Sequence, residues 1–126
     1  ADLLRMDAAM VDWHGTSQVA AIPYSTQARG YFDKYAAGKV DAATAVSYDS
    51  EENRRRAHRL ALLAESAGLT PTQAMLALFR LAPFPVIPVV GCRDAAQVAS
   101  SFQGIAADLP PAGAGELLRL LGIEPV

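Results

Sequence analysis

The stretch AIPYSTQARGYF, residues 21–32, places polar side chains directly after a short apolar run. The run ends in Tyr24 and Ser25, and the chain then passes through small and polar residues to Arg29 and Gly30. In an α/β barrel the hydroxyl and backbone groups that follow a strand face the ligand, so this stretch predicts a ligand-binding loop. The alternative is an ordinary turn, because small and polar residues with a glycine are also typical of turns.

Histidine and cysteine offer little further chemistry. His14 precedes a glycine at a helix end and His58 lies among arginines, and neither has a carboxylate or a cysteine at metal-ligand spacing. We therefore expect solvated or capping histidines. Cys92 is the single cysteine, which excludes an internal disulfide framework and a multi-cysteine zinc site. It also lacks a nearby base in the sequence that would activate it as a nucleophile.

The composition is that of one globular domain. The 126 residues are 52% hydrophobic and 19% charged, which is enough apolar material for a core. A net charge of -2 gives no electrostatic reason to expect nucleic acid or an anionic membrane. The longest apolar stretch, residues 81–92, is interrupted by prolines and is too short to span a bilayer. No secretory signal opens the chain, and with its single cysteine it is expected in the cytoplasm.

Two short strands and several helices are predicted to position the polar residues. Residues 19–24 and 86–90 are apolar on both faces, which favours buried parallel strands. The segment 30–47 has no sustained hydrophobic period and is predicted to be a loop with at most one turn of helix. Helices are predicted from about Leu3 to Trp13 with Gly15 as the stop, from Asp49 or Ser50 to Gly68, from Thr70 to Leu81, from Asp94 to about Phe102, and over AGELLRLLGI. This order predicts parallel βα units, although two strands are fewer than a stable parallel sheet normally has.

The helix that starts at Thr70 has the clearest signal. Thr70 is a natural N-cap, Pro71 fits the first helical position, and Gln73 stands where it completes a capping box. Most of the side chains that follow are apolar, so this helix must be covered on most sides.

Several segments, in order along the chain, resemble the aldo-keto reductase family. VAAIPYSTQARGYFDKY is similar to that family's seventh strand and following loop, where Tyr-Ser precedes a Leu-Ala-Arg-Gly-like turn. ENRRRAHRLALLAESAGLTPTQAMLALFRLAPFPVIPVVGCRDAAQV resembles the next helix, a Thr-Pro-x-Gln helix, the eighth strand and a Gly-x-Arg turn into the last helix. The match runs from about Leu3 to Leu121. It implies an α/β fold in which residues 1–126 are the C-terminal part of a TIM (β/α)8 barrel.

The resemblance implies that the chain carries part of an NADP site. Tyr24 takes the place of the aromatic residue that stacks on the nicotinamide ring, and a tyrosine offers a flat stacking face. Ser25 and Gln27 lie where the family's loop meets the pyrophosphate, and small residues there let backbone N–H groups approach phosphate. For each residue the alternative remains a packed strand end or a solvated turn.

The adenosine end of the cofactor is matched by a second group of residues. Gly91, Arg93 and Gln97 correspond to the turn and the first helical turn that hold it. Arg93 is assigned to the 2′-phosphate, because a guanidinium binds phosphate in a bidentate fork and a helix N-terminus favours an anion. Where the family often has Glu-Asn for the adenine, this chain has Ser100 and Ser101, so adenine contacts are expected to be weaker or rearranged.

The family's catalytic Asp, Tyr, Lys and His come from earlier strands and loops, and no motif here matches them. Tyr31, Asp33, Lys34 and Tyr35 contain three of the four residue types, but they lie in the loop after the seventh strand, so no catalytic residue is assigned. The resemblance implies the C-terminal portion of an NADP-dependent aldo-keto reductase, whose parent reduces a small-molecule carbonyl or oxidises an alcohol. The alternative is a non-catalytic half-barrel module that serves binding or assembly.

A macromolecular partner is predicted as well. Two short strands leave unpaired edges, and the apolar helix from Thr70 would expose a hydrophobic patch if nothing covered it. The missing N-terminal part of the barrel, or a second copy of the chain, would cover both features. We therefore expect a dimer or a higher assembly when the chain is alone, and we expect no metal ion, nucleic acid or membrane as a partner.

Overall fold

Helices dominate the computed structural model, which describes residues 6–120. Within that range the chain forms α1 (Ala8–Ser17), α2 (Tyr31–Ala36), α3 (Ala42–Tyr48), α4 (Glu51–Ala67), α5 (Pro71–Leu78), α6 (Ala95–Ala106) and α7 (Pro111–Leu120). Single 3-10 turns lie at Ala28–Gly30 and Phe79–Leu81. Among these helices there is none with the length and apolar character needed to cross a membrane. The predictions for Leu3, Leu4 and the residues after Leu120 lie outside the described residues.

The predicted α/β fold, with two parallel strands of a barrel, is wrong. Between residues 6 and 120 the structure is all-α and contains no β-sheet. Residues 19–24 and 86–90 do run side by side, but a single isolated parallel bridge joins them, from Ala21 to Val86. Backbone hydrogen bonds run from Ala21 N to Pro85 O, from Ile87 N to Ala21 O and from Val89 N to Pro23 O, at 2.8–2.9 Å.

Proline explains why this pairing does not grow into a ladder. Pro23 lacks the N–H group that a parallel strand donates at every second residue, so the first segment cannot continue the donation that Ala21 N begins. Two short segments also fall below the number of strands that makes a sheet independently stable. The segments therefore pack on the helices as extended chain and not as a barrel wall.

The two extended segments bury one side and expose the other, whereas the sequence predicted burial on both. Ala21 is 4% exposed, and it lines an apolar cavity of about 300 Å³ together with Pro23 and Val86. Side chains of α4, α5 and α7 form the other wall of that cavity. The exposed side carries Ile22, Tyr24, Ile87 and Val89, which are 64%, 58%, 56% and 52% exposed.

Residues 31–48 are largely helical, so the predicted loop over 30–47 is wrong. α2 follows Gly30, which adopts a left-handed φ of 73°. Asp41 is the N-cap of α3, and its carboxylate accepts a hydrogen bond from Thr44 N. Tyr31 on α2 is completely buried against Ala57 on α4 and its neighbours. Because α2 and α3 have 6 and 7 residues, they are too short to show a helical period and depend on this packing.

α4 and α5 form where the sequence predicts them and hold the main core. Ser50 Oγ accepts from Asn53 N at 3.1 Å to cap α4, and Gly68 ends that helix with a left-handed φ of 67°. Thr70 and Gln73 form the predicted capping box of α5. The buried core cluster consists of Leu60, Leu63, Ala64, Ala74, Leu78, Ala114, Leu117 and Leu118.

The helix ends differ from the prediction in α1, α6 and α7. α1 begins after its N-cap Asp7, so Met6 lies outside it, and α7 begins at Pro111, three residues before the predicted AGELLRLLGI. α1 passes through Gly15 and ends at Ser17, and Gln18 follows in the left-handed region. α6 begins after Asp94 as predicted, but it continues to Ala106. Helix boundaries are the part of the fold that local sequence signals specify least.

α5 and α6 approach each other closely at Gly104. A Cβ added there would lie 2.8 Å from the Cα of Gln73 and 3.0 Å from its carbonyl oxygen. Gln73 also donates its side-chain N–H to Ser100 O and Ser100 Oγ, at 3.2 and 3.0 Å. The start of α5 is thereby fixed to α6, which carries part of the candidate site.

Candidate functional site

The loop after Tyr24 is a tight turn built from left-handed residues. Ser25, Ala28 and Arg29 are not glycines, yet their φ angles are 54°, 46° and 54°. This region costs a residue with a Cβ about 1–2 kcal/mol. Hydrogen bonds from Ala28 N to Ser25 O and from Gly30 N to Gln27 O, at 2.9 and 2.7 Å, hold the turn. Strain of this kind persists where surrounding contacts fix the backbone, and it is common at functional sites.

Two side chains anchor the loop to distant parts of the chain. Thr26, which is 8% exposed, donates its hydroxyl to Val89 O at 2.8 Å. Gln27 donates Nε2–H to Ser101 Oγ at 3.1 Å. The loop is therefore held against the second extended segment and against α6.

The start of α6 has its own capping arrangement. Gln97 N donates to the carboxylate of Asp94 at 2.8 Å, and the side-chain oxygen of Gln97 accepts from Arg93 N at 2.9 Å. These two bonds fix the backbone of Arg93 immediately before the helix. Arg93 is an exposed residue.

The loop and the start of α6 enclose a polar cavity of about 540 Å³. Four of the six residues that the sequence assigns to the cofactor line it: Ser25, Gln27, Arg93 and Gln97. Tyr24 and Gly91 do not line it. Tyr24 is 58% exposed next to the loop, and Gly91 lies in an open turn with nothing within 4 Å of an added Cβ.

The cavity also contains residues to which sequence reasoning gives no role, namely Arg29, Asp33, Lys34 and Thr72. The sequence could have indicated that Arg29 lines the cavity, because it lies in the same turn as Ser25 and Gln27. No local pattern could have indicated Thr72, because its position in the cavity depends on how α5 packs.

Two of the charges that line the cavity have partners. Asp33 Oδ1 accepts a hydrogen bond from Thr72 N at 2.9 Å. Lys34 Nζ donates to Asp41 Oδ2 at 2.6 Å and to Thr44 Oγ1 at 2.9 Å. The bond from Lys34, with those from Thr44, holds the pKa of Asp41 well below its usual range. These groups therefore act mainly in fixing α2 to α3 and α5.

The two arginines that line the cavity, unlike Asp33 and Lys34, have no side-chain partner among the described residues. Among the described residues, neither the guanidinium of Arg29 nor that of Arg93 has a hydrogen bond or an ion pair. Since Lys34 is paired with Asp41, the described lining sets the two arginines against the single carboxylate of Asp33, and its net charge is positive. The cavity is therefore suited to an anion, and phosphate matches the fork geometry of a guanidinium.

The tyrosine and lysine near the cavity are not arranged for acid catalysis. Burial, together with the hydrogen bond to Asp49, raises the pKa of Tyr31 from 10.0 to about 12, whereas a tyrosine acid needs a lowered pKa. Lys34 is bound to Asp41 and Thr44 and does not contact this hydroxyl. Within residues 6–120, no group of His, Cys, Asp and Glu side chains could hold a metal ion.

Comparison with known proteins leaves the family open. No family model matches the chain, and no curated protein or solved structure matches it either. The resemblance to aldo-keto reductases therefore depends on the ordered motifs in the sequence, and its functional content is a proposal.

Proposed function

We propose that the chain is the C-terminal, cofactor-binding portion of an NADP-dependent aldo-keto reductase. One observation carries this proposal: Ser25 and Gln27 line the same cavity as Arg93 and Gln97, although about seventy residues separate the two pairs in sequence. Residues that bind one ligand must line the same cavity, whereas residues of two functionally unrelated surface turns have no reason to do so. The unpaired positive charge of this cavity supports a phosphate-bearing ligand.

The residues present fit the two ends of the cofactor. Arg93, at the start of α6, would hold the 2′-phosphate in a bidentate fork, and Ser25 and Gln27 would contact the pyrophosphate. Tyr24 would stack on the nicotinamide ring, for which an exposed aromatic face next to the loop is available. NADPH would supply the hydride for reduction of a small-molecule carbonyl, and the acid would come from the remaining N-terminal part of the enzyme. We place this enzyme in the cytoplasm.

A second candidate function is a non-catalytic module for binding or assembly. It is favoured by the exposed apolar side of the extended segments, where Ile22 and Ile87 are 64% and 56% exposed. Contiguous apolar surface of this kind marks interaction sites. The coding sequence upstream of Ala1 separates the two candidates, because the first requires an upstream Asp, Tyr, Lys and His in the family's catalytic motifs.

Cofactor selectivity tests the proposed NADP site directly. Arg93→Ala should weaken NADPH binding by roughly 1.5–3 kcal/mol, the range for a charge-assisted hydrogen bond, and leave NADH almost unchanged. Tyr24→Ala should weaken both cofactors alike, because stacking does not involve the phosphate. Arg55→Ala, at an exposed arginine of α4 away from the cavity, is the matched control. Equal losses for NADPH and NADH in the Arg93 variant would contradict the assignment.

A further inference from the structure

The apolar cavity between the extended segments and the helices is separate from the polar cavity. It has a volume of about 300 Å³, and its described lining shares no residue with that of the polar cavity. Ala21 and Val86 line it from the extended segments, and Leu60, Leu78 and Leu118 line it from α4, α5 and α7. The six residues assigned to the cofactor are absent from this described lining, so a ligand bound here would leave the proposed cofactor site free.

The lining of the apolar cavity offers nothing to hold a polar or charged ligand. Arg56 is the one side chain in the described lining that forms hydrogen bonds, and the others are hydrocarbon or methionine side chains. The guanidinium of Arg56 donates to Asn53 Oδ1 at 3.2 Å and to the carboxylate of Glu52. A charged ligand would therefore lose its hydration in this cavity without gaining partners. The lining favours neutral, apolar molecules.

The size and composition of the cavity indicate which apolar molecules fit. An apolar cavity of about 150 Å³ stays dry and binds benzene, which has one ring. The cavity here has about twice that volume, which suits two fused rings. Phe32, Phe79 and Phe84 are in its lining, as is Met75, and both phenylalanine rings and a thioether make favourable contacts with an aromatic molecule. Filling the cavity also restores dispersion contacts that an empty one forfeits.

The cavity is accessible from the surface. It is open to solvent on part of its boundary. Leu60, Leu78 and Leu118 are buried, whereas Met75 and Phe79 are only half-buried. A small molecule can therefore enter without unfolding of the chain.

We propose that the apolar cavity is a binding site for neutral aromatic molecules of two fused rings, of which naphthalene is the simplest. The ligand packs between Ala21 and Val86 on one side and Leu60 and Leu78 on the other. Because it contacts both walls, its binding stabilises the attachment of the extended segments to the helices. This site goes beyond the proposed cofactor function and does not depend on it.

The test is a titration of the 126-residue chain with naphthalene, followed by NMR. We expect saturable binding, nuclear Overhauser contacts from the ligand to Met75 and Leu78, and a raised melting temperature. 2-Naphthoate has the same rings and a carboxylate, and it should bind at least about 10-fold more weakly because its charge loses hydration. Contacts to Ile22 and Ile87 instead would place naphthalene on the exposed apolar side and overturn the proposal. Absence of binding up to the solubility limit of naphthalene would overturn it as well.

Two valines of the second extended segment give a matched pair of variants. Val86→Phe places a ring in the cavity and should lower the affinity for naphthalene at least about 10-fold. Val89→Phe, on the exposed side of the same segment, should leave that affinity unchanged. The added ring of Val86→Phe has room in an empty cavity, so the melting temperature should not fall. In a packed core the same change would lower it by overpacking.

Ala82→Leu fills the cavity from a different position and keeps the test decisive if Val86→Phe does not fold. It should also lower the affinity for naphthalene at least about 10-fold. Wild-type affinity in Ala82→Leu would overturn the proposal. A lowered melting temperature in both filling variants, with no naphthalene binding to the wild type, would show that other residues of the chain already occupy the cavity, which would overturn it too.

Discussion

The hydroxyl of Tyr31 donates a hydrogen bond to Oδ1 of Asp49 at 3.0 Å, which connects α2 to the residue that ends α3. Asp49 also accepts two hydrogen bonds from the guanidinium of Arg54 on α4, both at 2.9 Å. The bonds from Arg54 and from Tyr31 lower the pKa of Asp49, while burial opposes them. Three helices near the candidate site are thus joined through one carboxylate.

Tyr31→Phe is expected to lower stability at neutral pH and to change its alkaline dependence. The lost hydrogen bond should reduce the free energy of unfolding by about 1–2 kcal/mol. In the wild type, burial and Asp49 raise the pKa of Tyr31 to about 12, while the unfolded chain releases this proton near the ordinary tyrosine pKa of 10.0. The stabilisation is therefore complete below about pH 10 and is lost as the pH rises from about 10 to 12.

Urea unfolding of the wild type and of Tyr31→Phe across this pH range measures the effect. The free energy of unfolding of the wild type should fall as the pH rises from about 10 to 12, and Tyr31→Phe should lack the part of this fall that Tyr31 contributes. Tyr24→Phe, at a tyrosine that is 58% exposed, is the control and should keep the decline. Identical alkaline slopes for the wild type and Tyr31→Phe would show that the tyrosine proton is not linked to folding.

Gly104→Ala is expected to destabilise the chain by about 1–3 kcal/mol, the usual effect of overpacking. The added methyl group would lie 2.8 Å from the Cα of Gln73, and a backbone atom cannot rotate away as a side chain can. α5 and α6 would have to separate. Gly15→Ala is the control, because an added Cβ there meets nothing within 4 Å and alanine favours a helix by up to about 1 kcal/mol. Equal denaturation midpoints for the two variants would mean that α6 has room to move.

The 126-residue chain alone is expected to lack carbonyl reductase activity. Hydride transfer to a carbonyl needs a proton donor, and general acid catalysis contributes about two to four orders of magnitude in rate. Tyr31 has a raised pKa and Lys34 is bound to Asp41, so these two residues do not form a tyrosine–lysine acid beside the cavity. The measurement is NADPH consumption with a generic aldehyde. A steady rate proportional to the concentration of the chain would contradict this expectation.

Self-association through the extended segments is expected when the chain is alone. Their exposed side carries Ile22 and Ile87, and the backbone edge of residues 20–24 that faces away from Val86 has no strand paired with it in the described part of the chain. A second copy can cover this surface, as can the N-terminal part of the enzyme that we propose above. Ile22→Lys should shift the sedimentation profile toward monomer, whereas Val46→Lys, at a 90% exposed position on α3, should not. A monomeric wild type at high concentration would refute the prediction.

Local signals in the sequence predicted the starts of α4, α5 and α6 correctly. Ser50, Thr70 and Asp94 each cap a helix as expected, because an N-cap acts within three residues of itself. The wrong prediction of a loop over residues 30–47 arose because the helices there depend on contacts that are distant in sequence. Tyr31 stabilises α2 through burial against Ala57, a contact that the sequence around Tyr31 does not contain.

The prediction of an α/β fold was wrong for a related reason, because a sheet depends on partner strands that are distant in sequence. Residues 19–24 have the composition of a buried strand, but whether a strand joins a sheet depends on further strands, and here a single bridge forms. The candidate site was partly predictable, since Ser25 and Arg93 share a cavity as their assignments require. Arg29 and Thr72 join them through the turn geometry and the packing of α5, which motif matching does not describe.

The bridge between Ala21 and Val86 also governs the order in which the molecule folds and opens. It joins residues 65 positions apart (86 − 21), and α2 to α5 lie between them. Closing so long a loop is entropically unfavourable until those helices have packed, so we expect the bridge to form late. The amides of Ile87 and Val89 should then exchange with solvent through partial opening that leaves α4 and α5 intact. Because Thr26 is bonded to Val89 O, the cavity would assemble and come apart with this late step and not with global unfolding.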